Sequence, residues 1–244
     1  LHQALYEYLV SRGYIVVAPD HSFDANLTIF PDGHIADYRS NITGHPDSLN
    51  LRKMQMNTRV TDISFILDQL EKMQSGKIES QIIGKIDYEN ISVGGHSYGG
   101  ATATVAAQRD DRINACFVLD SWMSPVPDET INAGVHVPFL FMGRPSWVGS
   151  DYPGNYPRLD SLMAHSSNPK YQLIIKKTEH LDYSDIPLFS PIIKYVLDVG
   201  DLTSSVSIPL MNGLVYGFLE KYLTKNTQSG FDTIIQHELI TPVP

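Results

Sequence analysis

The 244-residue sequence predicts an α/β fold, a mostly parallel sheet with helices on both faces. Three observations carry this expectation. Short apolar runs rich in β-branched residues alternate with stretches of helical period along the chain. The runs are continuously apolar, as in strands covered on both faces. The stretch "VGGHSYGGA", residues 93–101, then joins one such run to an alanine-rich segment through a turn dense in glycine.

The elements follow in order. Leu1, Leu5, Tyr8 and Leu9 lie on one helical face, and no capping residue precedes them, so the chain is expected to begin inside a helix. Gly13 closes that helix, and "YIVVAPD" (14–20) reads as a buried strand. Residues 21–49, rich in Asp, Asn, Pro and Gly and containing "FPDG", read as a long surface loop. From Leu51 to Met73 the positions Val60, Ile63, Phe65, Ile66, Leu67 and Leu70 predict a helix. "NISVGG" (90–95) is a strand and "ATATVAAQRD" (101–110) a helix; "NACFVLD" (114–120), "VPFLFMG" (137–143) and "YQLIIKK" (171–177) are three more strands. The last long helix is expected near Ile208 to Leu223. No repeat or low-complexity linker divides the chain, so residues 1–244 are read as one domain.

Bulk properties exclude several roles. A net charge of −9 and a pI near 5.4 repel phosphate backbones, so no nucleic-acid partner is expected. No apolar run approaches the roughly 20 residues of a membrane span. The single cysteine, Cys116, cannot form an internal disulfide, which favours a reducing compartment, although an exported bacterial protein looks the same; a cytoplasmic location is the expectation, with export as the alternative.

Gly95-His96-Ser97-Tyr98-Gly99 matches G-x-S-x-G, the strand-to-helix turn at which α/β-hydrolases hold a nucleophilic serine at the tip of the sheet. A serine hydroxyl is a poor nucleophile until a base takes its proton, and that base needs an orienting acid. In this architecture acid and histidine follow the serine, each at the carboxyl end of a later strand. His96 sits within the turn, His136 precedes a strand, His165 falls in a helix and His237 in the tail. His180, directly after the last core strand, is assigned as the base. For the acid, Asp120 ends one strand, whereas Asp151 and Asp160 follow the next, where many such hydrolases carry it.

"GHSYGGAT", "VLDSWMSPVPDE", a histidine after the next-but-one strand and "GDLTSSVSIPLMNGLVYGFLEKYL" together resemble the plasma-type platelet-activating-factor acetylhydrolase family, as does the upstream "LVSRGYIVVAPDHSFDANLTIFPDG". The resemblance runs from Leu1 to the final helix and implies an α/β-hydrolase fold with calcium-independent cleavage of short or oxidised acyl groups from phospholipids. It implies Ser97 as nucleophile, His180 as base and, through the "LD-x-W-M" pattern, Asp120 as acid. Residues 144–167 have no clear counterpart in the family pattern.

The chemistry expected is an acyl-enzyme on Ser97, with no metal or cofactor, acting on a small ester or phospholipid. The Tyr98 N–H is expected to donate to the oxyanion, because it opens a helix with no intrahelical acceptor. Trp122 and Met123 follow the acid and are read as lining an acyl pocket, with core packing as the alternative; Trp147, Tyr152 and Tyr156 are read as an aromatic entrance. A dienelactone-type or peptidase-like hydrolase, or a non-catalytic protein on the same fold, is the rival reading. The fold's usual order also places a strand between 14–18 and 90–95, so N-terminal strands, with a second oxyanion donor, are expected upstream of Leu1.

Overall fold

The computed structural model describes residues 1–40, 42, 45–150 and 152–243. Its centre is a five-stranded sheet in the order β3 (Ser92–His96), β4 (Ala115–Leu119), β5 (Phe139–Gly143), β6 (Lys170–Ile175), β7 (Ile240–Val243). The first four strands are parallel and β7 closes the edge antiparallel to β6. Helices α1 (Gln3–Val10), α7 (Ser204–Tyr222) and α8 (Phe231–Ile234) cover one face. The other is covered by α2 (Ser48–Gln74), α3 (Tyr98–Arg109) and α5 (Asn155–His165), the last joined by the short α4 (Asp128–Ala133). A four-residue helix, α6 (Ile186–Phe189), packs against the turn at His180–Tyr183.

Strand alternation divides the core between the two faces. In β4 Cys116 and Val118 face α2 and α3, while Ala115 and Leu119 face α7; in β5 Phe139 and Phe141 face the first set, Leu140 and Met142 the second. All eight are buried, which is why these runs are apolar without a break. Each fully buried large side chain adds about 1.5–3 kcal/mol of transfer free energy. Among the described residues no helix is long and apolar enough to cross a membrane.

Two expectations are corrected, and one strand is added. Residues 14–20 form no strand: Tyr14 and Val16 pack on the α7 side of the core, while Ile15 and Val17 remain about half exposed. They keep the two-residue alternation of a strand without a ladder partner. Residues 21–49 are not all loop, since Leu27–Ile29 (β1) and Ile35–Asp37 (β2) pair as an antiparallel hairpin around "FPDG". The strand β7 was not anticipated, because its four residues include Pro242, which only an edge strand tolerates.

At the other edge β3 pairs, among the described residues, with β4 alone. Beside it lies a cavity of about 900 Å³, walled by Tyr14–Pro19 on one side and by Ile91–His96 and the start of α3 on the other. The segments 14–18 and 90–95, between which the sequence places a further strand, are not paired to each other.

Candidate active site

The turn between β3 and α3 puts Ser97 at φ 54° and ψ −121°, a conformation costly for any residue but glycine. Two bonds to the end of β4 and the residues after it hold it there. Ser97 N–H donates to the Leu119 carbonyl at 3.0 Å, and the Ser97 carbonyl accepts from Trp122 N–H at 3.1 Å. A Cβ added at Gly95 would lie 2.4 Å from the Gly99 backbone, so only glycine lets strand and helix meet this closely. A Cβ at Gly99 would meet nothing within 4 Å, so the constraint falls on Gly95.

The end of β4 carries Asp120, fully buried and also at positive φ, 39°. Its N–H donates to the Met142 carbonyl at 2.6 Å. The carboxylate has several partners: Oδ1 accepts from Arg144 N–H at 3.1 Å and Trp147 Nε1–H at 3.2 Å, and Oδ2 lies 2.6 Å from His180 Nδ1. An ionised carboxylate only accepts, so toward ionised Asp120 the Nδ1–H is the donor, which leaves Nε2 of a neutral ring as the acceptor. That nitrogen is 2.9 Å from Ser97 Oγ. Serine, histidine and aspartate thus form one hydrogen-bonded sequence.

His180 opens a 3₁₀ turn, His180–Tyr183, which is braced at its start. Glu179 and Asp182 form a capping box, and Asp182 Oδ2 also accepts Gly200 N–H at 2.6 Å. Burial pushes the Asp182 carboxyl upward from its usual range, against the two N–H donors that hold its charge. On the other flank His96 Nε2–H donates to the His180 carbonyl at 2.9 Å, with the two rings 4.5 Å apart. Burial, with the neighbouring His180 and His2 rings, lowers the His96 pKa well below the ordinary value, so His96 serves as a neutral donor.

The remaining candidates divide. α3 begins at Tyr98, so its N–H points out of the first turn with no intrahelical acceptor, beside Ser97. The Tyr98 hydroxyl donates to the Arg52 carbonyl at 2.6 Å, and burial raises its pKa to about 12. Trp122 stands at the turn, 5.9 Å from the Tyr98 ring and 4.4 Å from Tyr152. Met123 is fully buried in the core on the α2–α3 side, with its N–H on Asn155 Oδ1 at 2.6 Å. It packs beneath the site.

The aromatic entrance is corrected. Trp147 is only 4% exposed and turns its indole N–H to Asp120, and the Tyr156 hydroxyl donates to the Arg144 carbonyl. Of the alternative acids, Asp160 lies in α5 and accepts from Gln172 at 3.3 Å; Asp151 lies outside the described residues. Among the described residues no cluster of three or more His, Cys, Asp or Glu could hold a metal ion.

A family profile described as platelet-activating factor acetylhydrolase, isoform II, matches residues 1–238, nearly the whole chain. The chain belongs to this acetylhydrolase family. It is 27% identical over 236 residues to the platelet-activating factor acetylhydrolase of Canis lupus familiaris, covering 88% of this chain and 52% of that protein. The Gallus gallus protein of the same name is 23% identical, covering 92% and 59%. The chain therefore spans about half the length of the curated acetylhydrolases it matches. A ferulic acid esterase from Streptomyces cinnamoneus superposes with a TM-score of 0.78 over all of this chain and 69% of its own, at 23% identity, which establishes the α/β-hydrolase fold. Sequence reasoning missed Arg144, Trp147 as a donor and Asn155. The one signal for the first was a charged residue standing directly after the apolar "PFLFMG" run.

Proposed function

We propose that this acetylhydrolase-family chain is a serine esterase that cleaves short-chain carboxylic esters, including short acyl groups of phospholipids, and that residues 1–244 belong to a single domain. The observation that carries the reading is His180, bonded through Nδ1 to Asp120 at 2.6 Å and through Nε2 to Ser97 at 2.9 Å. Both distances fall within the range a base needs for proton transfer.

In the proposed reaction Ser97 Oγ attacks the ester carbonyl carbon as its proton passes to His180 Nε2. The tetrahedral oxyanion is received by Tyr98 N–H, already oriented by the helix start and therefore without reorganisation cost. His180 then gives the proton to the leaving alkoxide oxygen, the C–O bond breaks, and an acyl-Ser97 ester remains. Water, deprotonated by the same ring, hydrolyses it and restores the serine. Asp120 stays ionised throughout and offsets the charge of the imidazolium. Trp122, beside the elbow, bounds the acyl group, with Met123 packed below.

The lone cysteine is buried and unpaired, which supports a cytoplasmic location as part of the proposal. A series of p-nitrophenyl esters tests the substrate class. kcat/KM should be highest from acetyl to butyryl and fall for longer chains. Equal or better turnover of long-chain esters would overturn the short-acyl assignment, and undiminished hydrolysis by Ser97→Ala would overturn the mechanism.

A further inference from the structure

We propose that Arg144 is a positioning residue of this site: it ties the Asp120 carboxylate to the turn that carries His180, and its positive charge offsets the carboxylates gathered there. The inference rests on the triad reading above. Arg144 is the first residue after β5, and its side chain is only 9% exposed. A buried guanidinium is costly unless its charge is matched, so its surroundings are informative.

Three carboxylates from three segments surround it. Nε lies 3.4 Å from Asp120 Oδ2, while Nη1 lies 3.0 Å from Asp198 Oδ2 and 3.4 Å from Glu179 Oε2. The guanidinium carbon sits 4.2 Å from the centre of the Trp147 ring, whose N–H is on Asp120 Oδ1. Nε has no well-formed hydrogen bond, so the side chain acts on Asp120 as a charge while the Arg144 main-chain N–H fixes Oδ1. The two carboxylates gripping Nη1 belong to the frame of the base: Glu179 precedes His180, and the Asp198 carbonyl accepts Leu181 N–H at 2.9 Å. One guanidinium therefore links the end of β4, the end of β5 and the histidine turn.

Its charge has a definite sign of effect. His180 faces His96 from β3, with His2 beside that ring; Asp120 from the end of β4; and Trp147 from the segment after β5, while Arg144 reaches the same Asp120 oxygen that His180 holds. Its own turn adds Glu179, Asp182 and Tyr183, and the segment beyond adds Asp198. His96 is held neutral by burial. The carboxylates favour an imidazolium, and Arg144 is the cation of this set that opposes it. Removing its charge leaves Asp120, Glu179 and Asp198 unopposed, a change in local field that displaces the acid limb of kcat/KM upward.

The test is the pH profile of kcat/KM with p-nitrophenyl acetate for wild type, Arg144→Met and Arg144→Lys, with Ser97→Ala as the blank and circular dichroism as the check on folding. For Arg144→Met the expected result is a loss of about tenfold or more at neutral pH and an acid limb displaced upward by about one pH unit. Arg144→Lys should keep the limb at its wild-type position, since the charge remains, with a plateau several-fold lower because the planar fork is lost. A uniformly lowered Arg144→Met profile with an unmoved limb overturns the proposal. Should Arg144→Met fail to fold, the lysine variant decides: an unmoved limb supports the proposal and an upward displacement overturns it. Absence of Ser97-dependent hydrolysis in the wild type would remove the triad reading and this inference with it, whereas an unmoved limb in an active enzyme removes this inference alone.

Discussion

Asp120 is worth more to the site than its bond to His180 suggests. Its carboxylate is fully buried, and its Oδ1 is fixed by one main-chain and one indole N–H. A buried carboxylate with a missing donor keeps its charge but loses part of what holds that charge in place. Trp147→Phe removes the indole N–H while keeping most of the ring that stacks on Arg144. Hydrogen bonds to charged groups contribute about 1.5–3 kcal/mol, so we expect roughly a ten- to hundredfold fall in kcat with circular dichroism unchanged. Activity within twofold of wild type would show that the indole only packs.

Within the elements, the elbow concentrates the strain. Ser97 and Asp120, at the ends of neighbouring strands, both have positive φ, and such positions cost on the order of 1–3 kcal/mol each. The surrounding bonds offset this only if β3 and α3 approach through Gly95. Gly95→Ala would place a methyl group 2.4 Å from backbone atoms of Gly99, which cannot rotate away. We expect at least about 2 kcal/mol lost from stability in urea denaturation and a larger relative loss of activity; an unchanged midpoint would contradict this close packing. This also explains what the sequence could reveal. Ser97 and His180 could be read from local cues, a glycine-flanked turn and a histidine directly after the last core strand, together with a fixed order along the chain, whereas Asp120 stayed one of three candidate acids until the family resemblance selected it. Arg144 and Trp147 could not be read, because their roles depend on which carboxylate lies within 4 Å, a long-range fact. Residues 14–20 have strand composition without a ladder, since pairing belongs to the neighbour and not to the segment. The hairpin at 27–37 was hidden by turn residues that outnumber its three-residue strands.

Across the whole molecule, one sheet edge differs from the other. At β6 the edge is closed by β7, with Pro242 blunting further pairing. At β3 it opens on a groove of about 900 Å³ that Ile15 and Val17 line with half-exposed apolar surface. Unpaired strand edges beside apolar surface promote association. Residues 1–244 expressed as such should therefore show concentration-dependent light scattering, reduced by Val17→Lys. A monodisperse monomer across the same concentrations would contradict this view of the groove.

The central claim is that Ser97, His180 and Asp120 form one reacting unit. The most direct measurement is labelling by a fluorophosphonate, followed by intact mass and peptide mapping. Wild type should gain one phosphonyl group per chain on the peptide containing Ser97, His180→Ala should label far more slowly at the same residue, and Ser97→Ala should gain nothing. Modification elsewhere in the chain, or labelling of Ser97 at an equal rate without His180, would contradict it.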